Sequence, residues 1–416
     1  MTTALGLPLN PALSPMQAAA AQRSYPPVPG RCVVTGGTGF VGQRLVEMLV
    51  ERGALAVVSF DIVPRERMKG AWDHPAIEYV VGDITDRAAV DRAIKGADCV
   101  WHLAAAVGPF HPRAIYEKVN YHGTLNVIEA CRKHGVKKLV MSSSPSTRFE
   151  GGLFKRPDVD GLTEDRMPKL PLKNGYMQIY AETKAMAEMA VTAACSDELL
   201  AVNVAPHQVY GPRDNLFLPN ILEAAGSGKL RIFGHGNNRI CFTHVDNYCH
   251  ALIIAERQLY KGSPVIGKFY IATDGNTHPE KGPYCIFWRE VDTAVVGMGF
   301  PSLAAKFHYP FWFLYGIALI ANLIGWILGV TFKLNVFNVF VLTMNRWFDI
   351  SAVERDLRFE PIIPFAKGWE DTIAWFKANW LPGYLAAKNR NGFLGIANSS
   401  QAKIDIQAAS TLKKTN

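Results

Sequence analysis

Several absences narrow what this 416-residue sequence can encode. Its seven cysteines form no CxxC pair and no metal-ligand spacing, so neither a zinc site nor a disulfide framework is expected. No basic run is interleaved with aromatic residues, and the net charge of +8 is scattered along the chain, which argues against nucleic acid as a partner. We therefore expect reduced, mostly buried thiols in a protein that faces the cytosol, with no bound metal.

The first 30 residues lack aspartate and glutamate altogether. They also lack the basic and apolar regions of a secretory signal. An acid-poor start is typical of transit peptides, but only Arg23 and Arg31 supply positive charge there. We expect residues 1–30 to form a disordered extension.

A glycine-rich turn follows the first strand that the sequence predicts. A short apolar run leads into TGGTGFVG at residues 35–42, and an amphipathic segment follows it. In a dinucleotide fold, Gly36 would allow the tight turn, Gly39 would let the backbone approach a pyrophosphate, and Gly42 would let the helix pack on the strand. The N–H groups at the start of the helix would then face the phosphates.

A second strand-and-helix unit supports this interpretation. The strand Ala56–Phe60 ends in Asp61, which lies 19 residues after Gly42. That is near the spacing expected for a carboxylate that accepts the hydroxyl groups of a ribose. The sequence therefore predicts a dinucleotide-binding site.

Strands and helices alternate from Arg31 to about Ser144, which predicts an α/β fold of the Rossmann type with a doubly wound parallel sheet. In such sheets the ligand binds outside the carboxyl ends of the strands. Five candidate residues share that position: Gly36, Asp61, Asp83, Ala104 and Ser144.

Tyr180 and Lys184 form a candidate catalytic pair on a predicted helix from Tyr176 to Ala194. Positions i and i+4 share a helix face, so the phenol and the ammonium point the same way. Tyrosine is a poor base because its free pKa is about 10. We expect the nearby ammonium to lower that pKa, so that Tyr180 can take a proton from an alcohol while its hydride leaves.

An uncharged apolar run of 22 residues spans Tyr309 to Val330. As a helix it would extend roughly 33 Å, enough to cross a bilayer. Trp312 and Trp326 lie towards its ends, as interfacial aromatic residues tend to do. A second run, Val336–Met344, is too short to cross alone. The segment either spans the bilayer or lies as a hydrophobic hairpin in one leaflet.

Together these features resemble the extended short-chain dehydrogenase/reductase superfamily from about Arg31 to Trp380. Within it, the chain is most similar to the 3β-hydroxysteroid dehydrogenase branch, and there to the sterol-4α-carboxylate 3-dehydrogenase (decarboxylating) family. The motifs that carry the resemblance are TGGTGFVG at 35–42, FDI at 60–62, GDITD at 82–86, HLAA at 102–105, VNYHGTLNVIEAC at 119–131, SSSPSTRFEG at 142–151, YAETK at 180–184, PHQVYGPRD at 206–214, FTHVDN at 242–247 and FHYPFW at 307–312.

The resemblance implies a role for each matching residue. Tyr180 is the base, Lys184 holds the ribose and the tyrosine, and Ser144, or else Ser143, hydrogen-bonds the substrate oxygen. Pro145 departs from the family pattern, which leaves the choice of serine open. The implied cofactor is NAD, held by Gly36, Gly39, Phe40, Val41, Gly42, Asp61, Asp83, Ile84, Ala104, Ala105, Tyr180, Lys184 and Pro206.

Two residue types bear on the choice between NAD and NADP. Asp61 would repel a 2′-phosphate, which favours NAD, whereas Arg65 and Arg67 could accommodate one. Ala205 stands where relatives often have an arginine, so no arginine role is carried over at that position.

The implied reaction is oxidation of the 3β-hydroxyl of a 4α-carboxysterol, followed by loss of CO₂. The alternatives are a 3β-hydroxysteroid dehydrogenase/Δ5-isomerase, a nucleotide-sugar epimerase or reductase, and an inactive membrane scaffold. The implied partners are a membrane-dissolved sterol, the endoplasmic reticulum membrane, other sterol C4-demethylation enzymes and a second copy in a homodimer. Lys413 and Lys414 resemble a retrieval signal for the endoplasmic reticulum, with the catalytic domain facing the cytosol.

The remaining expectations concern the organisation of the chain. We expect residues 151–176 to form a loop over the site, Asp246 to cap the helix that starts there, and His102, His207 and His244 to be structural. Asn120 has two interpretations, a role in fixing the sheet or relaying a proton, and simple helix packing. The expected divisions are an NAD-binding domain at 31–205, a substrate-binding region at 206–306, a membrane-associating segment at 307–348, a helical part at 349–384 and a disordered tail at 385–416.

Overall fold

Strands and helices alternate through most of the chain in the computed structural model. It describes residues 1–108, 111–151, 154–157, 159–280, 282–328, 332 and 334–391. The strands are β1 Arg31–Thr35, β2 Ala56–Asp61, β3 Ile77–Val81, β4 Cys99–His102, β5 Lys138–Ser142, β6 Val159–Leu162, β7 Leu200–Pro206, β8 Val209–Tyr210, β9 Arg239–Ile240, β10 Thr243–His244, β11 Phe269–Ala272, β12 Cys285–Ile286 and β13 Arg346–Phe348.

The helices lie between these strands and beyond them. They are α1 Pro15–Ala21, α2 Phe40–Glu51, α3 Arg87–Ile94, α4 Arg113–Tyr116, α5 Gly123–His134, α6 Ile179–Ala194, α7 Leu218–Gly226, α8 Val245–Arg257, α9 Phe287–Gly297, α10 Phe311–Leu328, α11 Val336–Thr343, α12 Ser351–Leu357, α13 Phe365–Asn379 and α14 Leu381–Asn391. A π-helical turn, Glu117–His122, joins α4 to α5, and short 3₁₀ turns lie at Arg65–Arg67, Pro145–Arg148 and Gly275–Thr277.

The central sheet has seven strands in the order β11-β7-β5-β4-β1-β2-β3. All six pairings are parallel. Helices α2 and α8 cover one face and α3, α5 and α6 cover the other, so the inner strands are buried on both sides. The strand order reverses between β1 and β4, which is where a crevice opens at the carboxyl ends. The predicted Rossmann-type fold is confirmed.

A second, four-stranded sheet has the order β12-β9-β13-β6. Strand β6 lies within residues 151–176, so the prediction of a loop there is wrong for Val159–Leu162. It pairs in parallel with β13, nearly two hundred residues later in the chain. The residues of β6 show no alternation of apolar and polar side chains that would predict a strand. The strand forms by pairing with β13, which is distant in sequence.

Residues 1–30 are ordered, so the prediction of a disordered extension is wrong. Helix α1 starts at a capping box. The Ser14 hydroxyl accepts from the Gln17 backbone nitrogen, and Gln17 Oε1 accepts from the Ser14 backbone nitrogen. Gln17 Nε2 also donates to Asp246 Oδ1 at 2.7 Å, and Asn10 Nδ2 donates to Glu47 Oε1 at 2.8 Å. The low charge of this segment reflects burial of its alanines and not disorder.

The chain also remains helical beyond the predicted start of the tail at residue 385. Helix α14 continues to Asn391, and the Tyr384 ring stacks on Trp380 with centroids 4.9 Å apart. Lys388 Nζ donates to the Gly226 carbonyl at 2.9 Å. These contacts hold the helix against α7. Lys413 and Lys414 lie outside the described residues.

Helix α10 falls within the predicted apolar segment. Of the part of the chain described here, it is the one helix long and apolar enough to cross a membrane by length and composition. Only 17% of it is buried, unlike the core helix of a soluble protein. An exposed apolar helix of this kind is consistent with membrane association. Residues 329 and 330 of the predicted run lie outside the described part.

Candidate active site

At Gly36 and Gly42, the glycine turn after β1 is packed too tightly to hold a side chain. Gly36 has a φ of +73°, and a Cβ on it would lie 2.8 Å from the Ala104 nitrogen. A Cβ on Gly42 would lie 1.9 Å from the Gly36 carbonyl oxygen. The predicted roles of these two glycines, the tight turn and the close helix packing, are confirmed. Gly37 was missed by the sequence analysis, although a Cβ there would meet Ser59 Oγ at 2.4 Å.

The start of α2 is open to an anionic ligand. Gly39 is its N-cap residue and no side chain caps the helix, so the first N–H groups, at Phe40, Val41 and Gly42, point out of its end. A Cβ on Gly39 would meet only the Gly36 carbonyl oxygen within 4 Å. A glycine cradle at an uncapped helix start fits the pyrophosphate of a dinucleotide.

Asp61 lies at the end of β2 beside this turn. Its carboxylate accepts from the Thr38 nitrogen at 3.1 Å and from the Val63 nitrogen at 3.2 Å. Loss of solvent around the carboxylate raises the pKa of Asp61 above its ordinary value, and these backbone bonds oppose the shift. Arg65 is held by Asp73 at 3.1 Å. The structure therefore places the carboxylate beside the glycine turn, and ribose binding stays a prediction.

The other candidate cofactor residues line the same crevice. The Ala104 nitrogen lies 3.3 Å from Thr35 Oγ1, next to Gly36, and Ala105 follows it in the loop after β4. Asp83 accepts from the Thr85 nitrogen at 2.8 Å after β3, and Ile84 packs against Gly123. Pro206 ends β7. Their contacts with a nucleotide stay predictions.

The Ser144 side chain lies beside the Tyr180 phenol and lowers its pKa, while its hydroxyl shares a 2.8 Å hydrogen bond with Ser146 Oγ. Ser143 points elsewhere, because its hydroxyl donates to Glu188 Oε2 at 2.7 Å. The geometry therefore favours Ser144 over Ser143 as the partner of the tyrosine. Lys184 Nζ donates to the carbonyl of Ser142 at 2.6 Å, which brings the lysine to the same strand end.

The protonation of this group differs from the expectation. Loss of solvent raises the pKa of Tyr180 to about 12, Tyr116 adds to the rise, and the Ser144 side chain opposes it. The prediction that Lys184 lowers this pKa is wrong for the structure, since the lysine is directed at a backbone carbonyl. Burial lowers the pKa of Lys184 itself to about 8, against the opposing charge of Glu188.

Glu188 is a residue of this site that the sequence analysis missed. It lies one turn beyond Lys184 on α6, and it also pairs with Arg148 through both guanidinium nitrogens. Thr147 Oγ1, which accepts from Arg148, donates in turn to the Ser144 carbonyl at 2.8 Å. The i+4 spacing from Lys184 was the available signal, because it puts Glu188 on the face that carries the pair.

Asn120 ties the loop after β4 to α6. Its Oδ1 accepts from the Ala106 nitrogen at 2.8 Å, and its Nδ2 donates to the Ala106 carbonyl at 3.2 Å and to Thr183 Oγ1 at 3.1 Å. It lies in the π-helical turn Glu117–His122. Of its two interpretations, the geometry supports the fixing of the structure beside the sheet.

Two of the three histidines noted in the sequence serve buried hydrogen bonds. His102 lies between Thr35 Oγ1 at 2.7 Å and Thr124 Oγ1 at 2.9 Å, and burial lowers its pKa to about 3. His207 Nδ1 contacts the Cys241 carbonyl at 2.8 Å. Neither belongs to a group of three potential metal ligands within the described residues. Their predicted structural role is confirmed.

The start of α8 corrects one prediction. His244 is the capping residue there, since its side chain accepts from the Asp246 nitrogen at 3.2 Å. Asp246 does not cap the helix, because its carboxylate is buried in an ion pair with Arg44 Nε at 3.0 Å and accepts from Gln17. The Asp246 carboxylate is paired with the buried Arg44 guanidinium, so it is not available to cap the helix.

The seven cysteines are free thiols, six of them buried and Cys195 half-buried, as predicted. Burial raises the pKa of the Cys131 thiol to about 12 and that of Cys241 to about 12, so neither is a reactive thiolate at neutral pH.

A doubly wound sheet, a glycine cradle at an open helix start and Ser144, Tyr180 and Lys184 at one strand end define a dehydrogenase of the extended short-chain dehydrogenase/reductase type. The profile of the 3-beta hydroxysteroid dehydrogenase/isomerase family matches residues 33–293. The chain belongs to this family.

Individual proteins agree with the family assignment. The sterol-4-alpha-carboxylate 3-dehydrogenase, decarboxylating, of Homo sapiens is 36% identical over 285 residues, which cover 68% of this chain and 70% of the human one. The 3beta-hydroxysteroid-dehydrogenase/decarboxylase isoform 1 of Arabidopsis thaliana is 33% identical over 378 residues, covering 86% and 81%. The dTDP-glucose 4,6-dehydratase of Bacillus anthracis, solved with NAD, superposes with a TM-score of 0.62 at 21% identity over 85% of this chain and 99% of its own. That likeness shows the shared fold.

Proposed function

We propose that this protein oxidises the 3β-hydroxyl of a 4α-carboxysterol with NAD⁺ and releases the carboxylate as CO₂. The observation that carries the proposal is the placement of Ser144 beside Tyr180, with Lys184 held at the carboxyl end of β5. It occurs in a chain whose relatives are named for this reaction. The protein is therefore an oxidoreductase of sterol biosynthesis.

The cofactor is NAD, since the chain's own residues fit it. The glycine cradle and the open start of α2 would hold the pyrophosphate, and Asp61 would accept the ribose hydroxyls. A carboxylate at that position repels the 2′-phosphate of NADP, while Arg65 is held by Asp73. When bound, NAD⁺ supplies the acceptor for the hydride that leaves C3.

Tyr180 takes the proton of the 3-hydroxyl as that carbon is oxidised. The Ser144 hydroxyl, beside the Tyr180 phenol, would hold the same substrate oxygen in place. Lys184 lies one helical turn away with its ammonium at the Ser142 carbonyl, where it would hold the ribose of the cofactor. The proton gained by Tyr180 then remains at the site for the second step.

The product of oxidation is a β-keto acid, which loses CO₂ through an enolate. The electron pair of the breaking C4–carboxyl bond moves onto the C3 oxygen. Two hydroxyl donors, Ser144 and the newly protonated Tyr180, face that oxygen and stabilise its charge. No metal or additional base enters this sequence of steps.

Continuous apolar packing between the site and α10 supports a sterol substrate. One hydrophobic cluster contains Phe149 and Phe348 beside the catalytic strand ends and also Leu314, Ala318 and Phe340 of the α10–α11 pair. It connects the site to the exposed apolar helix.

We propose that the protein lies on the endoplasmic reticulum membrane with its catalytic domain in the cytosol. There we expect it to form a homodimer alongside other enzymes of sterol C4 demethylation.

Product analysis tests the proposal. Detergent-solubilised protein is given NAD⁺ and a 4α-carboxysterol with an isotopic label in the carboxyl group, beside a Tyr180→Phe variant. We expect NADH and labelled CO₂ to form in equal amounts with the native protein and neither with the variant. Formation of a Δ4-3-ketone from a sterol without the carboxylate, and no CO₂, would instead identify the dehydrogenase/isomerase activity for which the family is also named.

A further inference from the structure

The α10–α11 segment leaves and re-enters the protein at the same place. Just before α10, the Tyr309 nitrogen donates to the Ile232 carbonyl at 3.0 Å, and its carbonyl accepts from Gly234 at 2.8 Å. Just after α11, the Arg346 carbonyl accepts from the Cys241 nitrogen at 3.2 Å. Both ends of the segment are therefore held within residues 232–241.

The return helix is too short to cross a bilayer. Helix α11 has eight residues, and eight residues rise about 12 Å, against a hydrocarbon core of roughly 30 Å. A chain that crossed in α10 could not come back in α11 to the strand from which it left. We propose that α10 and α11 form a hairpin that enters one leaflet of a membrane, contacts its acyl chains and returns on the same side.

The two faces of α10 differ in the way that this arrangement requires. Leu314, Ala318 and Gly325 are buried on the protein side. The opposite side exposes an uninterrupted apolar surface: Trp312, Phe313, Ile317, Ile320, Leu323, Ile324, Trp326, Ile327 and Leu328. The helix contains no charged residue. So large an exposed apolar patch is rare on a soluble monomer and suits lipid.

The start of α11 shows a second feature that lipid would demand. The first N–H groups of a helix have no partner within it, and in hydrocarbon no water can supply one. Here Asn322 Oδ1 on α10 accepts from the Val336 nitrogen at 3.3 Å, and Asn335 Oδ1 accepts from the Asn338 nitrogen at 2.9 Å. Asn335 Nδ2 also donates to the Phe332 carbonyl at 2.9 Å. The two asparagines satisfy backbone groups at the start of α11.

The base of the hairpin carries the residues that favour a membrane surface. Phe154, Phe307 and Trp312 are 83%, 70% and 73% exposed. The Arg156 guanidinium lies 5.4 Å from the centre of the Phe311 ring, at the start of α10. Neighbouring Lys155 is 3.6 Å from Glu150, so Arg156 supplies the positive charge. Aromatic rings and a cation at this level fit the headgroups of an anionic leaflet.

Vesicle binding of the full-length protein tests the surface. With sealed vesicles of phosphatidylcholine and phosphatidylserine, we expect Leu323→Lys to weaken binding at least tenfold, because a charge enters the acyl region. Leu55→Lys serves as the matched control, since Leu55 is 82% exposed on the dehydrogenase domain. Equal binding by both variants would overturn the proposal. Thermal unfolding in detergent checks that each variant is folded.

Thiol labelling of the same vesicle-bound protein tests the topology. A Leu328→Cys variant is treated with a membrane-impermeant thiol reagent placed either outside or inside the vesicles, and the buried native thiols give a low background. The hairpin predicts protection from both sides until detergent is added. Labelling from the inside would show a spanning helix, and labelling from the outside would show that position 328 stays in water and that the hairpin does not enter the leaflet. Neither assay depends on the identity of the sterol.

Discussion

The Ser143 hydroxyl donates a 2.7 Å hydrogen bond to the Glu188 carboxylate, which lies about two helical turns beyond Tyr180 on α6. The bond occupies Ser143, so Ser144, beside the Tyr180 phenol, is the serine that we expect to meet the substrate. The same carboxylate anchors Arg148 and lies one helical turn beyond Lys184. Glu188 is therefore a positioning residue for the whole catalytic group.

Replacing Glu188 with glutamine should separate its charge from its shape. The amide can still accept from Ser143, but the loss of the charge removes the effect that raises the pKa of Lys184. We expect kcat to fall roughly tenfold, equal to about 1.4 kcal/mol, with little change in the KM for NAD⁺. The pH at which the rate levels off should also move down. A Glu198→Gln variant, on an exposed turn, should behave as native protein, and an unchanged pH profile in Glu188→Gln would contradict the assignment.

The rate of oxidation should rise with pH below about 8 and level off above it. Oxidation needs a deprotonated Tyr180, whose pKa is about 12, so the active fraction grows as pH rises. Above about 8, loss of the Lys184 proton offsets that gain. Steady-state rates from pH 6 to 10 test this. The reverse reaction, which needs the Tyr180 proton, should not show the rising limb, and a forward rate that falls from pH 6 to 8 would exclude Tyr180 as the base.

Replacing Asp61 with asparagine should relax the choice of cofactor. The neutral amide keeps hydrogen bonds near Thr38 but no longer repels a 2′-phosphate. We expect the preference for NAD over NADP, taken as the ratio of kcat/KM values, to drop by more than tenfold, or about 1.4 kcal/mol. An Asp73→Asn variant should in addition free Arg65 to meet that phosphate. If Asp61→Asn leaves the ratio unchanged, the carboxylate does not lie at the ribose.

Replacing Gln17 with leucine should destabilise the protein although it lies far from the site. The change leaves Asp246 Oδ1 without a partner that now donates at 2.7 Å in a fully buried position. We expect the free energy of unfolding to fall by about 1–3 kcal/mol. Denaturant titration measures this, with Gln22→Leu as the control because Gln22 is exposed at the end of α1. Equal stability of the two variants would mean that α1 does not hold the buried network.

The chemistry-bearing segments were predictable from the sequence because each is local. The glycine turn, the acid at the end of β2 and the Tyr180–Lys184 spacing lie within one strand, turn or helix, so their geometry follows from the chain's own periodicity. The central sheet could be predicted for the same reason, as strands and helices alternate in order. Gly37 and Glu188 were missed because their roles come from contacts with Ser59 and Ser143.

What only the tertiary structure decided depends on segments that are distant in sequence. The four-stranded sheet joins strands from residues 159 to 348, and α1 is ordered by Asp246, more than two hundred residues away. The direction of the Tyr180 pKa shift was likewise set by its surroundings, because desolvation outweighed the effect expected from Lys184. The uncharged run at 309–330 predicted contact with a membrane, and the return of the α10–α11 segment to residues 232–241 led to the proposed hairpin. The pattern of apolar residues along the sequence does not specify which distant residues a segment contacts when the chain returns.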